Sequence, residues 1–138
     1  MTTPTADTSS GNLPKQSPQT FSLVAYPAVP LVDGPDCRLN VEVTGEGDPV
    51  TVFAHGITSS LQEIAAFGWR TRGTRVMFDF RGHGLSESPP AETGYDTPCM
   101  RRDLEFVADA YGATRALGVS MGAGALLNLL ADRPDRFE

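Results

Sequence analysis

Cysteine is almost missing from this chain of 138 residues: only Cys37 and Cys99 occur, far apart and without Cys-x-x-Cys spacing. That excludes a disulfide framework and a thiolate metal cluster, and both read as small, buried or half-buried apolar residues. Lysine is scarcer still, with Lys15 alone beside ten arginines spread along the sequence. Against them stand 17 acidic residues, giving a formal charge of -6. No basic patch results, so nucleic acid is not an expected partner. No apolar run approaches the roughly 20 residues of a membrane-spanning helix. Residues 1–18 also lack the charged and apolar regions of a secretion signal. A cytoplasmic protein without membrane contact, metal or other cofactor is the expectation. Histidine occurs twice, at His55 and His83, which leaves few choices for a general base.

What is present is a composition 40% hydrophobic and 20% charged, that of one globular domain with one core. Residues 1–20 are Thr, Ser, Pro, Gln and Asp with almost no large apolar side chain. They read as a disordered tail. Phe21 to Val32 is apolar but interrupted by Pro27 and Pro30, which suits an edge strand or extended arm. Arg38 to Thr44 alternates, with Leu39, Val41 and Val43 on one side, and Gly45-Glu46-Gly47-Asp48 supplies turn chemistry. A hairpin to a strand over Val50 to Ala54 is expected. That run, Val-Thr-Val-Phe-Ala, lacks alternation, as in a strand covered on both faces.

Strands and helices then alternate. Leu61 to Phe67 is helix-compatible and Arg75 to Asp79 is a compact strand. Thr97-Pro98 reads as an N-cap followed by proline at the first helical position. The helix it opens carries Met100, Leu104, Val107, Ala108 and Tyr111 on one face, with Gly112 placed for a left-handed cap. Ala113 to Val119 reads as a buried strand. Met121 to about Asp132 is a helix with Ala123, Leu126, Leu127 and Leu130 as its stripe, stopped by Arg133-Pro134. This order predicts an α/β fold with a mostly parallel sheet flanked by helices, over residues 21–138.

The sharpest chemical signal is Gly118-Val119-Ser120-Met121-Gly122, a Gly-x-Ser-x-Gly pentapeptide at the junction of a strand and a helix. A serine hydroxyl attacks carbonyls when a rigid mount exposes it. A very tight strand-to-helix turn is such a mount, and it crowds the positions two before and two after the serine. Glycine at 118 and 122 relieves that crowding. The turn also aims the first helical amides at the reaction centre, so Met121 N–H is a candidate oxyanion donor. An ordinary glycine-rich turn entering a helix gives the same pentapeptide. A nucleotide-binding reading fails, because no Gly-x-x-x-x-Gly-Lys is present.

Two further segments decide between hydrolase and plain turn. His55-Gly56-Ile57 follows the strand at 50–54, and Asp79-Phe80-Arg81-Gly82-His83-Gly84-Leu85-Ser86 follows the strand ending at Phe78. With the pentapeptide, and in this order, they resemble the α/β-hydrolase superfamily, most closely its esterase, enol-lactonase and cofactor-free perhydrolase branch. The resemblance covers roughly residues 38–138. It implies Ser120 as nucleophile, the backbone N–H of Ile57 as second oxyanion donor, and a small-molecule acyl substrate. It gives His55 a supporting role under the oxyanion loop, and His83 a local role fixing its own loop with Asp79 and Arg81.

In that family the nucleophile is followed by an Asp or Glu and then a His on later strands. Here the sequence ends eighteen residues after Ser120 with no further histidine, and Asp132 and Asp135 come too early for the acid. The fold is accordingly expected to stop after the helix that follows the nucleophile. The acid, the base and the lid segment would be missing. Loss of a triad member costs on the order of a millionfold, so this chain is expected to be nearly inactive. The resemblance also places the strand at 113–119 inside a larger sheet, so its outer edge is expected to be open and a site of self-association. Three readings stay open: an incomplete serine hydrolase, a non-catalytic remnant or binding module of the same fold, and a hydrolase completed by a second chain.

Overall fold

The computed structural model describes residues 30–67 and 71–138. The tail expected over 1–20, and residues 21–29 of the expected arm, lie outside the described residues. Val32–Asp33 (β1) pairs antiparallel with Arg38–Leu39 (β2) in a small ribbon. The main sheet contains Val41–Thr44 (β3), Val50–Ala54 (β4), Thr74–Phe78 (β5) and Arg115–Gly118 (β6), in the order β3-β5-β4-β6. β4, β5 and β6 are parallel and β3 is antiparallel to β5. Three helices complete the fold: Leu61–Ala66 (α1), Thr97–Ala110 (α2) and Met121–Asp132 (α3).

Successive side chains of a strand point to opposite faces, and β4 and β5 bury both. Val52, Ala54, Val76 and Phe78 join the core that includes Met100, Leu104 and Val107 of α2 and Ala125 of α3. Phe53 and Met77 point the other way, onto Leu61 and Ile64 of α1. The result is three layers, with α2 and α3 on one face and α1 on the other. Each large apolar side chain so buried contributes about 1.5–3 kcal/mol.

The expected hairpin between residues 38–44 and 50–54 is not formed. β3 pairs with β5, and β4 lies on the far side of β5. The apolar β4 needs two covered faces and takes an inner place. β3, with Glu42 and Val43 exposed, takes the edge. The 45–48 segment instead crosses the start of β5: Thr74 donates from its backbone and its hydroxyl to Gly47 O, both at 2.9 Å. A Cβ on Gly45 would stand 2.4 Å from Gly73 O, so this crossing needs glycine. The alternating run at 38–44 is itself split, since β2 belongs to the ribbon and β3 to the sheet.

Two other expectations shift. The N-cap of α2 is Asp96, not Thr97, because the Asp96 carboxylate accepts the Cys99 N–H at 3.1 Å. Gly112 ends α2 at φ 64°, in the left-handed region, as expected. In α3 the buried positions are Gly122, Ala125 and Leu129, while Leu127 is 68% exposed. The expected stripe of 123, 126, 127 and 130 misplaced the buried face because α3 is apolar almost all round, which leaves periodicity little to discriminate. Both cysteines are free, Cys99 buried and Cys37 half-buried. Among the described residues no helix is long and apolar enough to cross a membrane.

Candidate active site

β4, β5 and β6 all end on the same side of the sheet, where ligands of open parallel sheets gather. The three sequence segments meet there. β6 runs into α3 through Val119 and Ser120, and Ser120 sits at φ 50°, ψ -111°, a backbone conformation that L residues rarely adopt. Such a residue stores roughly 1–3 kcal/mol of strain, which the surrounding packing must hold. Ser120 is nonetheless exposed.

The glycines at 118 and 122 are what make the turn fit. A Cβ at Gly118 would stand 2.6 Å from Gly122 O and 2.7 Å from Ala123 N. A Cβ at Gly122 would meet Ala54 O at 2.2 Å and His55 O at 2.8 Å. The crowding at 122 thus comes chiefly from the end of β4, against which α3 is pressed. The Gly122 N–H donates to His55 O at 3.0 Å and fastens the two segments together.

The loop after β4 closes over the serine. A Cβ on Gly56 would lie 3.3 Å from Ser120 Cβ and 3.9 Å from its Oγ. Gly56 O accepts the Ser59 N–H at 3.2 Å in a tight turn whose third residue, Thr58, has φ 61°. A β-branched residue there is strained, and its neighbours supply the restraint. Gly56, Ile57, Val119 and Ser120 line one cleft of about 250 Å³ together with Ile64 and Phe67 of and beyond α1. Met121 is the first residue of α3, and its side chain packs against the core. The first N–H of a helix has no partner within the helix.

His55 is fully buried beneath this loop. Its Nδ1 donates to Gly56 O at 2.8 Å and its Nε2 accepts the Phe80 N–H at 3.0 Å. That fixes the neutral tautomer protonated at Nδ1 and leaves no lone pair for a substrate proton. Burial holds the ring below the ordinary histidine range. The bond to Gly56 O works in the opposite direction without overcoming burial. His83, half-buried, lies tilted beside His55 with ring centroids 5.1 Å apart and planes at 58°. It bonds Arg81 O through Nδ1 at 3.0 Å, and it is not among the residues lining the Ser120 cleft.

Asp79 ties the region together to a degree the sequence did not disclose. Its buried carboxylate accepts the Asn40 side-chain amide at 2.7 Å, the Leu61 N–H at 2.7 Å and the Leu85 N–H at 3.0 Å. The Leu61 bond caps α1, whose own N-cap residue Ser60 makes no side-chain cap bond. Six residues do not form a stable helix alone, so α1 and the loop before it depend on this carboxylate. Behind it, Arg81 is fully buried, bonded to both Asp103 oxygens at 2.9 and 2.7 Å and to Asp36 at 2.7 Å. These carboxylates hold the Arg81 guanidinium well above its usual pKa, and Arg81 with Arg102 holds Asp36 below its own.

A sequence profile of the alpha/beta hydrolase fold matches residues 50–138. Over 110 residues the chain is 36% identical to epoxide hydrolase A of Mycobacterium tuberculosis, covering 73% of this chain and 33% of that protein. Over 101 residues it is 37% identical to 2-(acetamidomethylene)succinate hydrolase of Mesorhizobium japonicum, covering 70% of this chain and 35% of that protein. The crystal structure of epoxide hydrolase A from Mycobacterium thermoresistibile superposes with a TM-score of 0.66 at 30% identity, covering 81% of this chain and 37% of that one. The chain thus spans about a third of the length of the curated relatives it matches. A strained serine between two space-making glycines, the loop that closes on it and these likenesses agree: the chain belongs to the alpha/beta hydrolase fold family.

Proposed function

We propose that this chain carries the nucleophile and oxyanion site of a serine hydrolase acting on a carboxylic ester, lactone or thioester through an acyl-enzyme on Ser120. The observation that carries the reading is the exposed Ser120 at φ 50°, with Gly56 packed directly against it. In the reaction Ser120 Oγ adds to the carbonyl carbon and gives its proton to a base. The carbonyl oxygen takes the electron pair, and the leaving alcohol or thiol departs with a proton. Water then cleaves the acyl ester and frees Oγ. The backbone N–H groups of Ile57 and Met121 are assigned to the oxyanion, each worth roughly 3 kcal/mol in the transition state.

Epoxides, the substrates named for two of the relatives, fit this nucleophile poorly. A serine oxygen that opens an epoxide forms an ether, which water does not cleave. A carboxylate nucleophile would form an ester, which it does. A hydroxyl at position 120 therefore favours carbonyl substrates. The relative named for 2-(acetamidomethylene)succinate supports a wider range of hydrolysis on this fold.

A second reading applies to these 138 residues by themselves, as a non-catalytic module of the same fold. It is favoured by His55, whose two ring nitrogens are both engaged, and by the absence of histidine among the described residues lining the cleft. A fluorophosphonate probe with a Ser120→Ala control separates the two. Labelling that disappears in the variant supports the nucleophile, and labelling that persists in it rules Ser120 out.

A further inference from the structure

We propose that the cleft beside Ser120 accepts a neutral or cationic acyl chain, and that Glu63 sets this preference by turning carboxylate-bearing chains away. The inference rests on reading Ser120 as the acyl-accepting nucleophile and names the substrate class of that same site. The cleft runs from Gly56 and Ser120 between walls of Ile57, Ile64, Phe67 and Val119. Two of these, Ile57 and Phe67, are large apolar side chains left 65% and 61% exposed. So much open apolar surface around a nucleophile suits a hydrocarbon chain, which gains about 25 cal/mol for each Å² it covers.

Glu63 is the one ionisable side chain among the described residues that line this cleft. It lies four positions before Phe67, in the first turn of α1, so the two share a side of that short helical segment. Among the described residues it has no ion-pair partner. An acyl chain ending in an ammonium would meet an opposite charge. One ending in a carboxylate would meet a like charge, at the modest strength of an exposed site.

The test needs no turnover. The full chain, labelled with 15N, is titrated with hexanamide, its ω-amino derivative and its ω-carboxy derivative, following the amide signals of Ile57 and Val119. The amide carbonyl resists hydrolysis and stands in for the acyl carbonyl, while the far end carries the charge. The ω-carboxy compound should bind at least about threefold more weakly than the other two, an effect of the size expected for an exposed charge. Glu63→Gln should bring the three affinities together, and Glu63→Arg should reverse their order. Equal binding of all three by the wild type, an unchanged order in Glu63→Gln, or no response at Ile57 and Val119 would each overturn the proposal. The spectra also report whether each variant is folded. Failure of the Ser120 reading is seen separately, as imidazole-assisted fluorophosphonate labelling that is no greater in the wild type than in Ser120→Ala, in a chain whose titrations still rank the ligands.

Discussion

The Nε2 of His55 lies 3.0 Å from the backbone nitrogen of Phe80, and this bond makes the ring a neutral acceptor held inside the protein. Because burial lowers its pKa, the unfolded chain takes up a proton at His55 before the folded one does. Stability therefore rises with pH across the interval between the lowered folded value and the ordinary value of about 6.5, and is lost as pH falls through that interval. The urea midpoint should drop between pH 7 and the acidic side of that window, with a slope of at most about 1.4 kcal/mol per pH unit from this residue. Asp36, lowered by Arg81 and Arg102, contributes its own loss only as pH falls through the carboxylate range. A flat midpoint above that range would contradict the buried, neutral assignment of His55.

The same geometry limits the chemistry of the isolated chain. With His55 fully engaged and His83 outside the cleft lining, no histidine among the described residues is placed to act as base for Ser120. Fluorophosphonate labelling of the 138-residue chain should be slower than that of intact serine hydrolases by at least about a thousandfold. Added imidazole supplies the missing base, and should raise the labelling of the wild type but not of Ser120→Ala. Labelling at ordinary rates that vanishes in His83→Ala would make His83 the base after all.

Gly56 and Gly122 separate binding from folding. A Cβ at Gly56 would come to 3.3 Å from Ser120 Cβ and 3.9 Å from its Oγ, crowding the proposed nucleophile. Gly56→Ala should keep the fold and abolish both labelling and ligand response. A Cβ at Gly122 would strike the backbone oxygen of Ala54 at 2.2 Å, and a backbone atom cannot swing aside. Gly122→Ala should cost about 1–3 kcal/mol or more, read by urea unfolding, since α3 must move off the sheet.

These contrasts indicate what the sequence could disclose. The elbow was legible because Gly118, Ser120 and Gly122 meet a local steric need within five residues. α3 was legible in extent because Arg133-Pro134 stops it. The sheet order was not, since the 45–48 turn fits a hairpin locally and only the burial of β4 and β5 places β4 inside. The capping of α1 by Asp79 and the pairing of Asp103 were not legible either. Their partners Leu61 and Arg81 are 18 and 22 positions away, and no spacing rule reaches that far. Glu63 could have been noticed from its position four residues before Phe67, but only the cleft gives that spacing a meaning.

Asp103 offers a stability prediction free of the active-site reading. Arg81 is fully buried and donates two of its bonds to Asp103, with Asp36 taking a third. Asp103→Ala would leave a buried guanidinium partly unpaired, which costs about 3–5 kcal/mol. Asp36→Ala should cost less, because Asp36 is only partly buried and the Asp103 fork remains. Equal losses in the two variants would mean that Asp36 and Asp103 hold Arg81 equally.

The free edge of β6 predicts how the chain behaves at high concentration. Among the described residues β6 pairs with β4 alone, and the last residue of the chain bonds at its start. There Glu138 N–H bonds Thr114 O at 2.9 Å and the Glu138 carboxylate meets Arg115. Beyond that point β6 has no further strand partner among the described residues, and it borders a hollow of about 400 Å³ lined by Ala116, Leu126, Leu130 and Phe137 with Arg115 and Glu138 also in its wall. Unpaired strand edges beside apolar surface recruit further strands, and a second copy of this chain can supply one. Sedimentation velocity from micromolar toward millimolar protein should show reversible self-association. Leu130→Lys, which places a charge in the hollow while its stem stays half-buried, should weaken it about tenfold. Leu127→Lys makes the same change on an exposed position outside the hollow and should leave it unaltered, so an equal effect of both would point to net charge rather than to this edge.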